Sequence, residues 1–130
     1  MSDTPRNIRL LIVDDEKGFT EVLAKRMTRR GIAATTASSG EEAVRLLRGE
    51  DFDIAILDLK LEGMDGVEIL KIFRLLDPEL PVLMLTGHGS ESAVKASMRL
   101  GAADYLSKPI DFEVLMAKVL RFARSGGSQS

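Results

Sequence analysis

Asp14 and Asp15 follow the apolar run 8–13 (IRLLIV), and Asp58 follows the run 53–57 (DIAIL). Acidic residues gathered at the mouth of a sheet are costly unless a cation joins them. Two ionised carboxylates about 4 Å apart repel by about 4 kcal/mol at an effective dielectric of about 20. A hard divalent ion removes that repulsion and favours an all-oxygen site. Thr86 and Lys108 also follow apolar runs. Three acids, a hydroxyl and a lysine around one point suit phosphoryl chemistry. A carboxylate can act as nucleophile and form an acyl phosphate. A metal ion and a lysine neutralise the negative charge that opposes its attack. The hydroxyl can donate to a further phosphoryl oxygen, so positioning and electrostatics carry most of the catalysis.

The chain alternates between the elements needed to place these groups. Residues 8–13 form a near-continuous apolar run, the pattern of a strand buried on both faces. Phe19, Val22, Leu23 and Met27 then recur at helical spacing over 17–30. Gly31 follows as a C′ residue. Residues 32–37 read as a short, weak strand toward an edge. Ser39 and Glu42 have capping-box spacing for the next helix, which stops near Gly49. Residues 53–57 are the third strand. A loop over 58–64 leads to a helix capped by Asp65, with Glu68 at the capping-box position. Residues 81–85 (PVLML) form the fourth strand, ending at Thr86, and residues 87–89 form a flexible loop. Ser90 is placed to cap a helix through Leu100. Residues 103–106 are the fifth strand, and Asp111 caps a last helix carrying Phe112, Leu115, Met116 and Val119.

Five strand–helix pairs imply a parallel sheet covered on both faces. In such sheets ligands sit at the carboxyl ends of the strands, where all the residues of chemical interest fall, and 2-1-3-4-5 is the natural strand order for five strands. At 130 residues the chain fits one domain. Residues 1–6 read as a tail, 7–124 as the domain, and 125–130 (SGGSQS) as a flexible tail or linker stub. With no cysteine, disulfides and thiol catalysis are excluded. The N-terminus lacks a signal-peptide pattern, and no apolar run approaches bilayer length, so a soluble cytoplasmic protein is expected. A formal net charge of −2 and a single Tyr with no Trp argue against direct nucleic-acid binding.

Four segments together resemble the receiver domain of two-component response regulators. They are Leu11-Ile12-Val13-Asp14-Asp15-Glu16, the stretch from Asp58 through Gly63 to Gly66, Leu85-Thr86-Gly87, and Lys108-Pro109. The resemblance covers about residues 7 to 124 and implies a flavodoxin-like (βα)5 fold. It implies that Asp58 accepts a phosphoryl group from a histidine kinase or phosphotransfer protein. Asp15, Asp58 and the backbone carbonyl of Lys60 would ligate Mg2+, with Asp14 acting through a water. Lys108 would pair with the phosphoryl oxygens, Thr86 would swing toward them, and Tyr105 would move inward. The peptide before Pro109 would be cis. Lys60 and His88 occupy positions that tune phosphoryl lifetime. The fourth helix, fifth strand and fifth helix would form the switching surface and a surface for homodimers. The output is not encoded in these residues, so a stand-alone receiver and one joined to a further domain both stay open.

Relatives often carry proline where this chain has Glu62. Losing the fixed φ should loosen that loop, and a Glu62→Pro variant is expected to keep its metal affinity. Blander readings exist for single residues. The acidic pair alone would suit a helix N-terminus, and Tyr105 alone would be an ordinary half-buried strand residue. Thr86 alone could merely end a strand, and His88 could be an exposed loop residue. Among whole functions, a dinucleotide-binding protein lacks its Gly-x-Gly-x-x-Gly turn here. A haloacid-dehalogenase-type phosphatase also uses an aspartyl nucleophile, but it wants an acid at position 60, which is Lys. A pseudo-receiver that only binds protein is disfavoured by the complete set of acids, Thr and Lys.

Overall fold

A computed structural model describes residues 7–87 and 90–124. The two tails, 1–6 and 125–130, and the loop positions His88 and Gly89 lie outside the described residues. The elements are β1 (Arg9–Val13), α1 (Lys17–Arg29), β2 (Ala33–Ala37), α2 (Gly40–Gly49), β3 (Ile54–Asp58), β4 (Lys60–Leu61), β5 (Met64–Asp65), α3 (Gly66–Leu76), β6 (Val82–Thr86), α4 (Glu91–Arg99), β7 (Asp104–Ser107) and α5 (Phe112–Phe122).

The long strands form one parallel sheet in the order β2-β1-β3-β6-β7. Numbered along the chain without the short pair β4 and β5, this is the expected 2-1-3-4-5 order. Every residue of β3 and β6 is buried, as their unbroken apolar runs require, whereas β2 (AATTA) sits at the edge and is largely uncovered. Alternate side chains point to opposite faces. Leu11, Val13, Ala55 and Leu57 pack with Ala43, Ile69, Leu70 and Phe73 of α2 and α3. Leu10, Ile12, Ile54 and Ile56 pack with Leu23, Met27, Leu115 and Val119 of α1 and α5. The sheet is therefore clad on both sides, and its strand ends are left as the places for polar chemistry. Among the described residues no helix is long and apolar enough to cross a membrane.

Several local expectations are met. Gly31 has a φ of +86° just beyond α1. The Ser39 side chain accepts from the Glu42 amide at 3.1 Å, and the Asp111 side chain accepts from the Glu113 and Val114 amides. Others differ. The Glu42 carboxylate accepts from Ser38 rather than Ser39. Glu68 pairs with Lys71 instead of returning to its helix start. Ser90 stands at the head of α4 but makes no side-chain cap. The expected loop over 58–64 contains a two-stranded antiparallel hairpin, β4 with β5, turning at Gly63 with a φ of +75°. Two-residue strands carry no periodicity, so the glycine was the only local sign of it.

At the opposite, N-terminal ends of the strands a second set of charges closes on itself. Arg124 donates through its two terminal nitrogens to both oxygens of Asp77 at 3.0 and 2.5 Å, and to the Phe52 carbonyl at 2.7 Å. The hydrogen bond from Arg124 holds the Asp77 carboxyl below the usual carboxylate range, and the same bond raises Arg124. Asp53 accepts from the Arg9 amide at 2.8 Å, and Arg9 pairs with Glu50 at 2.6 Å.

Candidate functional site

Strand register decides which residues meet. Val13 pairs with Leu57, so the residues that follow, Asp14 and Asp58, emerge side by side. Asp58 pairs with Leu85, and Thr86 pairs with Ser107. The amide of Lys108 donates to the Thr86 carbonyl at 2.8 Å, which carries Lys108 to the same edge. The Lys108–Pro109 peptide is cis.

Residues 94 and 50 positions apart thus become neighbours. The Lys108 ammonium donates to Asp58 Oδ2 at 2.7 Å and to Asp14 Oδ2 at 3.0 Å. It also stands 5.1 Å from the centre of the Phe19 ring. The Asp14 side chain is fully buried, and that of Asp58 is 9% exposed. Burial pushes the Asp14 carboxyl up, and the nearby Asp58 charge adds to the rise. The Glu16 amide and Lys108 only partly oppose it. Burial alone would lower the Lys108 amine, but its bonds to Asp58 and Asp14 outweigh that and raise it. One ammonium shared by two acids leaves the edge short of positive charge.

Each acid has one oxygen fixed by a backbone amide. The Glu16 amide donates to Asp14 Oδ1 at 2.9 Å, and the Lys60 amide donates to Asp58 Oδ1 at 2.9 Å. Both are local bonds within a turn. The third is long-range: the Glu62 amide donates to Asp15 Oδ2 at 2.6 Å across 47 positions. This bond ties the loop at Glu62 to the loop after β1.

The expectation that all three carboxylates converge on one point needs correction. Among the described residues no three acids, histidines or cysteines stand together as a metal-holding group. Asp14 and Asp58 face Lys108, while Asp15 turns to the Glu62 amide. All three nevertheless line one open cavity of about 480 Å³, with Lys60, Glu62 and Lys108 on its walls. Its acidic donors offer oxygen only, a set that fits a hard divalent cation and not a soft one.

Thr86 is buried, and its hydroxyl donates toward the Leu106 carbonyl at 3.4 Å and Ser107 Oγ at 3.5 Å, both long. Tyr105 points outward and is 44% exposed. Both line a separate open cavity of about 600 Å³ between β6, β7 and α4. His88 lies outside the described residues.

Glycines are the part that reading the sequence missed. A Cβ on Gly66 would collide with the Asp58 carbonyl oxygen and lie 2.7 Å from Leu59 Cα. A Cβ on Gly40 would lie 2.6 Å from Met64 Sδ and 2.8 Å from Ile69 Cδ1. The Gly66 amide donates to the Leu59 carbonyl at 2.9 Å. The loop that carries Asp58 and Lys60 is thus backed by α3 at a distance only glycine permits. Gly66 was visible as part of a motif, but its role depends on a contact that no spacing rule encodes.

Comparison with known proteins agrees with this geometry. The model of the response regulator receiver domain matches residues 10–120. The transcriptional regulatory protein GlrR of Escherichia coli is 37% identical over 88% of this chain and 26% of its own length. The transcriptional regulatory protein TcrA of Mycobacterium tuberculosis is 37% identical over 92% of this chain and 47% of its own. The chain therefore spans about a quarter of one relative and about half of the other. A response regulator from Burkholderia pseudomallei, solved with a phosphorylated aspartic acid, a calcium ion and citrate, superposes with a TM-score of 0.80. It is 32% identical, over 85% of this chain and 65% of its own. The receiver reading displaces the phosphatase alternative, and the chain belongs to the family of response regulator receiver domains.

Proposed function

We propose that Asp58 is the phospho-acceptor of this receiver domain and that Lys108 couples its modification to the rest of the fold. The observation that carries the reading is the single Lys108 ammonium held between Asp58 and Asp14. An Asp58 carboxylate oxygen attacks phosphorus, and the P–N bond of a donor phosphohistidine breaks, its electrons passing to the imidazole. Asp15, Asp58 and the Lys60 carbonyl would hold Mg2+, with Asp14 reaching it through a water. When bound, the cation neutralises phosphoryl and carboxylate charge together. Asp58 Oδ1 is oriented by the Lys60 amide, leaving Oδ2 to exchange its ammonium partner for phosphorus.

A phosphoryl group adds negative charge and strong acceptors at Asp58. Lys108 follows it, and the Thr86 hydroxyl, now held only by long bonds, turns toward it. The cavity beside Thr86 gives Tyr105 room to move inward. α4, β7 and α5 then shift as a two-state element, presenting a changed surface to an output domain, a partner or a second copy of the chain. The histidine kinase or phosphotransfer protein supplies the phosphoryl group. The domain catalyses only its own phosphorylation and dephosphorylation, works in the cytoplasm over residues 7–124, and does not itself bind nucleic acid. Lys60 and His88 tune access of the hydrolytic water.

Beryllofluoride or acetyl phosphate with Mg2+ tests the reading. The wild-type chain should show shifts in the amide resonances of α4, β7 and α5, and Asp58→Asn should show none. Equal responses from the two proteins would sink it.

A further inference from the structure

The third of the amide bonds to the acids differs in kind from the other two. Asp14 and Asp58 receive theirs from two residues farther along the same loop. Asp15 receives its bond from Glu62, in the loop after β3. Asp15 lines the cavity and is partly exposed, unlike the buried Asp14 and Asp58. The 2.6 Å bond from the Glu62 amide fixes its carboxylate, as short as a charge-assisted hydrogen bond gets. It engages Oδ2, and Oδ1 has no hydrogen-bond partner among the described residues.

We propose that the backbone N–H of Glu62 is a positioning donor for Asp15, clasping the β1–α1 and β3–α3 loops together and leaving Asp15 Oδ1 to bind a divalent cation. The inference rests on the reading above, in which that cation is Mg2+. Partners that orient a metal ligand from outside typically contribute about 10- to 100-fold in metal affinity. An exposed clasp belongs at the low end of that range. The role belongs to the main chain, so it is indifferent to the side chain at 62 unless that residue is proline, which has no N–H. The hairpin makes the donor available: Lys60 pairs with Asp65 and Leu61 with Met64, and the turn residue Glu62 faces the first loop across the shared cavity.

The test compares Glu62→Pro, which deletes the donor, with Glu62→Ala, which deletes only the carboxylate. Mg2+ affinity is measured by calorimetry on the 130-residue chain. Contrary to the expectation from the sequence that Glu62→Pro keeps its metal affinity, loss of the Glu62 N–H should make Glu62→Pro bind about tenfold more weakly than Glu62→Ala. Equal affinities, or tighter binding by Glu62→Pro, would overturn the clasp. If the wild type binds Mg2+ in those cases, the phospho-acceptor reading survives; if the wild type binds none, both fall. Should Glu62→Pro fail to fold, the Glu62 amide resonance decides. It should lie downfield in the wild type, move upfield in Asp15→Ala, and stay downfield at saturating Mg2+. Loss of the downfield shift on adding Mg2+ would mean that the cation and the clasp compete, which contradicts the proposal.

Discussion

The two ends of the sheet use the same side-chain chemistry to opposite effect. At the N-terminal ends, Arg124 meets Asp77 through a two-nitrogen fork and also covers the Phe52 carbonyl. The charges of that pair balance, and Asp77 is held below the usual carboxylate range. At the C-terminal ends, one ammonium serves two acids, a third acid leans on an amide, and burial raises Asp14. A fork that satisfies both partners has nothing left to offer a ligand. An edge left short of positive charge has a standing preference for a cation and, with it, for a phosphoryl group. The contrast also separates two meanings of a salt bridge: one fixes the shape, and the other holds a place until something stronger arrives.

The comparison breaks most sharply at Asp58. Asp58→Asn should abolish phosphorylation by acetyl phosphate, read as loss of the phosphoryl mass increment, whereas Asp77→Asn should leave it intact. Next in size, Lys108→Ala should destabilise the Mg2+-free fold by about 1.5–3 kcal/mol, because two acids lose their charged donor. Urea unfolding measures this, and added Mg2+ should recover part of the loss. The same variant should still accept some phosphoryl but fail to shift α4, β7 and α5. Asp77→Asn should cost about 1–2 kcal/mol by urea unfolding, discounted because the pair is partly exposed, and no Mg2+ should recover it. The smallest effect is on pH dependence. Asp77 titrates below its usual value when folded, so its contribution is fully present above its unfolded pKa of about 3.9. That contribution is lost as pH falls through the lower folded value. Unfolding free energy measured from about pH 2 to 6 should therefore fall less steeply on the acid side in Asp77→Asn than in the wild type.

Much of the frame was legible because burial on both faces leaves unbroken apolar runs. β1, β3 and β6 could be read from composition alone, and the edge strand β2 from its weakness. Strand ends erred by a residue, since pairing and not residue type sets where a ladder stops. The meeting of Asp14, Asp58 and Lys108 was legible through topology, because parallel strands bring their carboxyl ends to one edge. What escaped depended on atoms common to all residues. The Glu62 amide and the hairpin that presents it leave no mark in a pattern of side chains. The unmade cap at Ser90 and the displaced bond of Glu42 show that a capping signature names a helix start more reliably than it names the bond.

Gly66 contributes no side-chain atom to the edge that carries Asp58, yet it stands against the Asp58 carbonyl more closely than any Cβ would allow. Surveys of tolerated substitutions at this edge should therefore find two kinds of intolerance. Positions 58 and 108 refuse change because of what their side chains do. Position 66 refuses even a methyl group, because its task is to be absent.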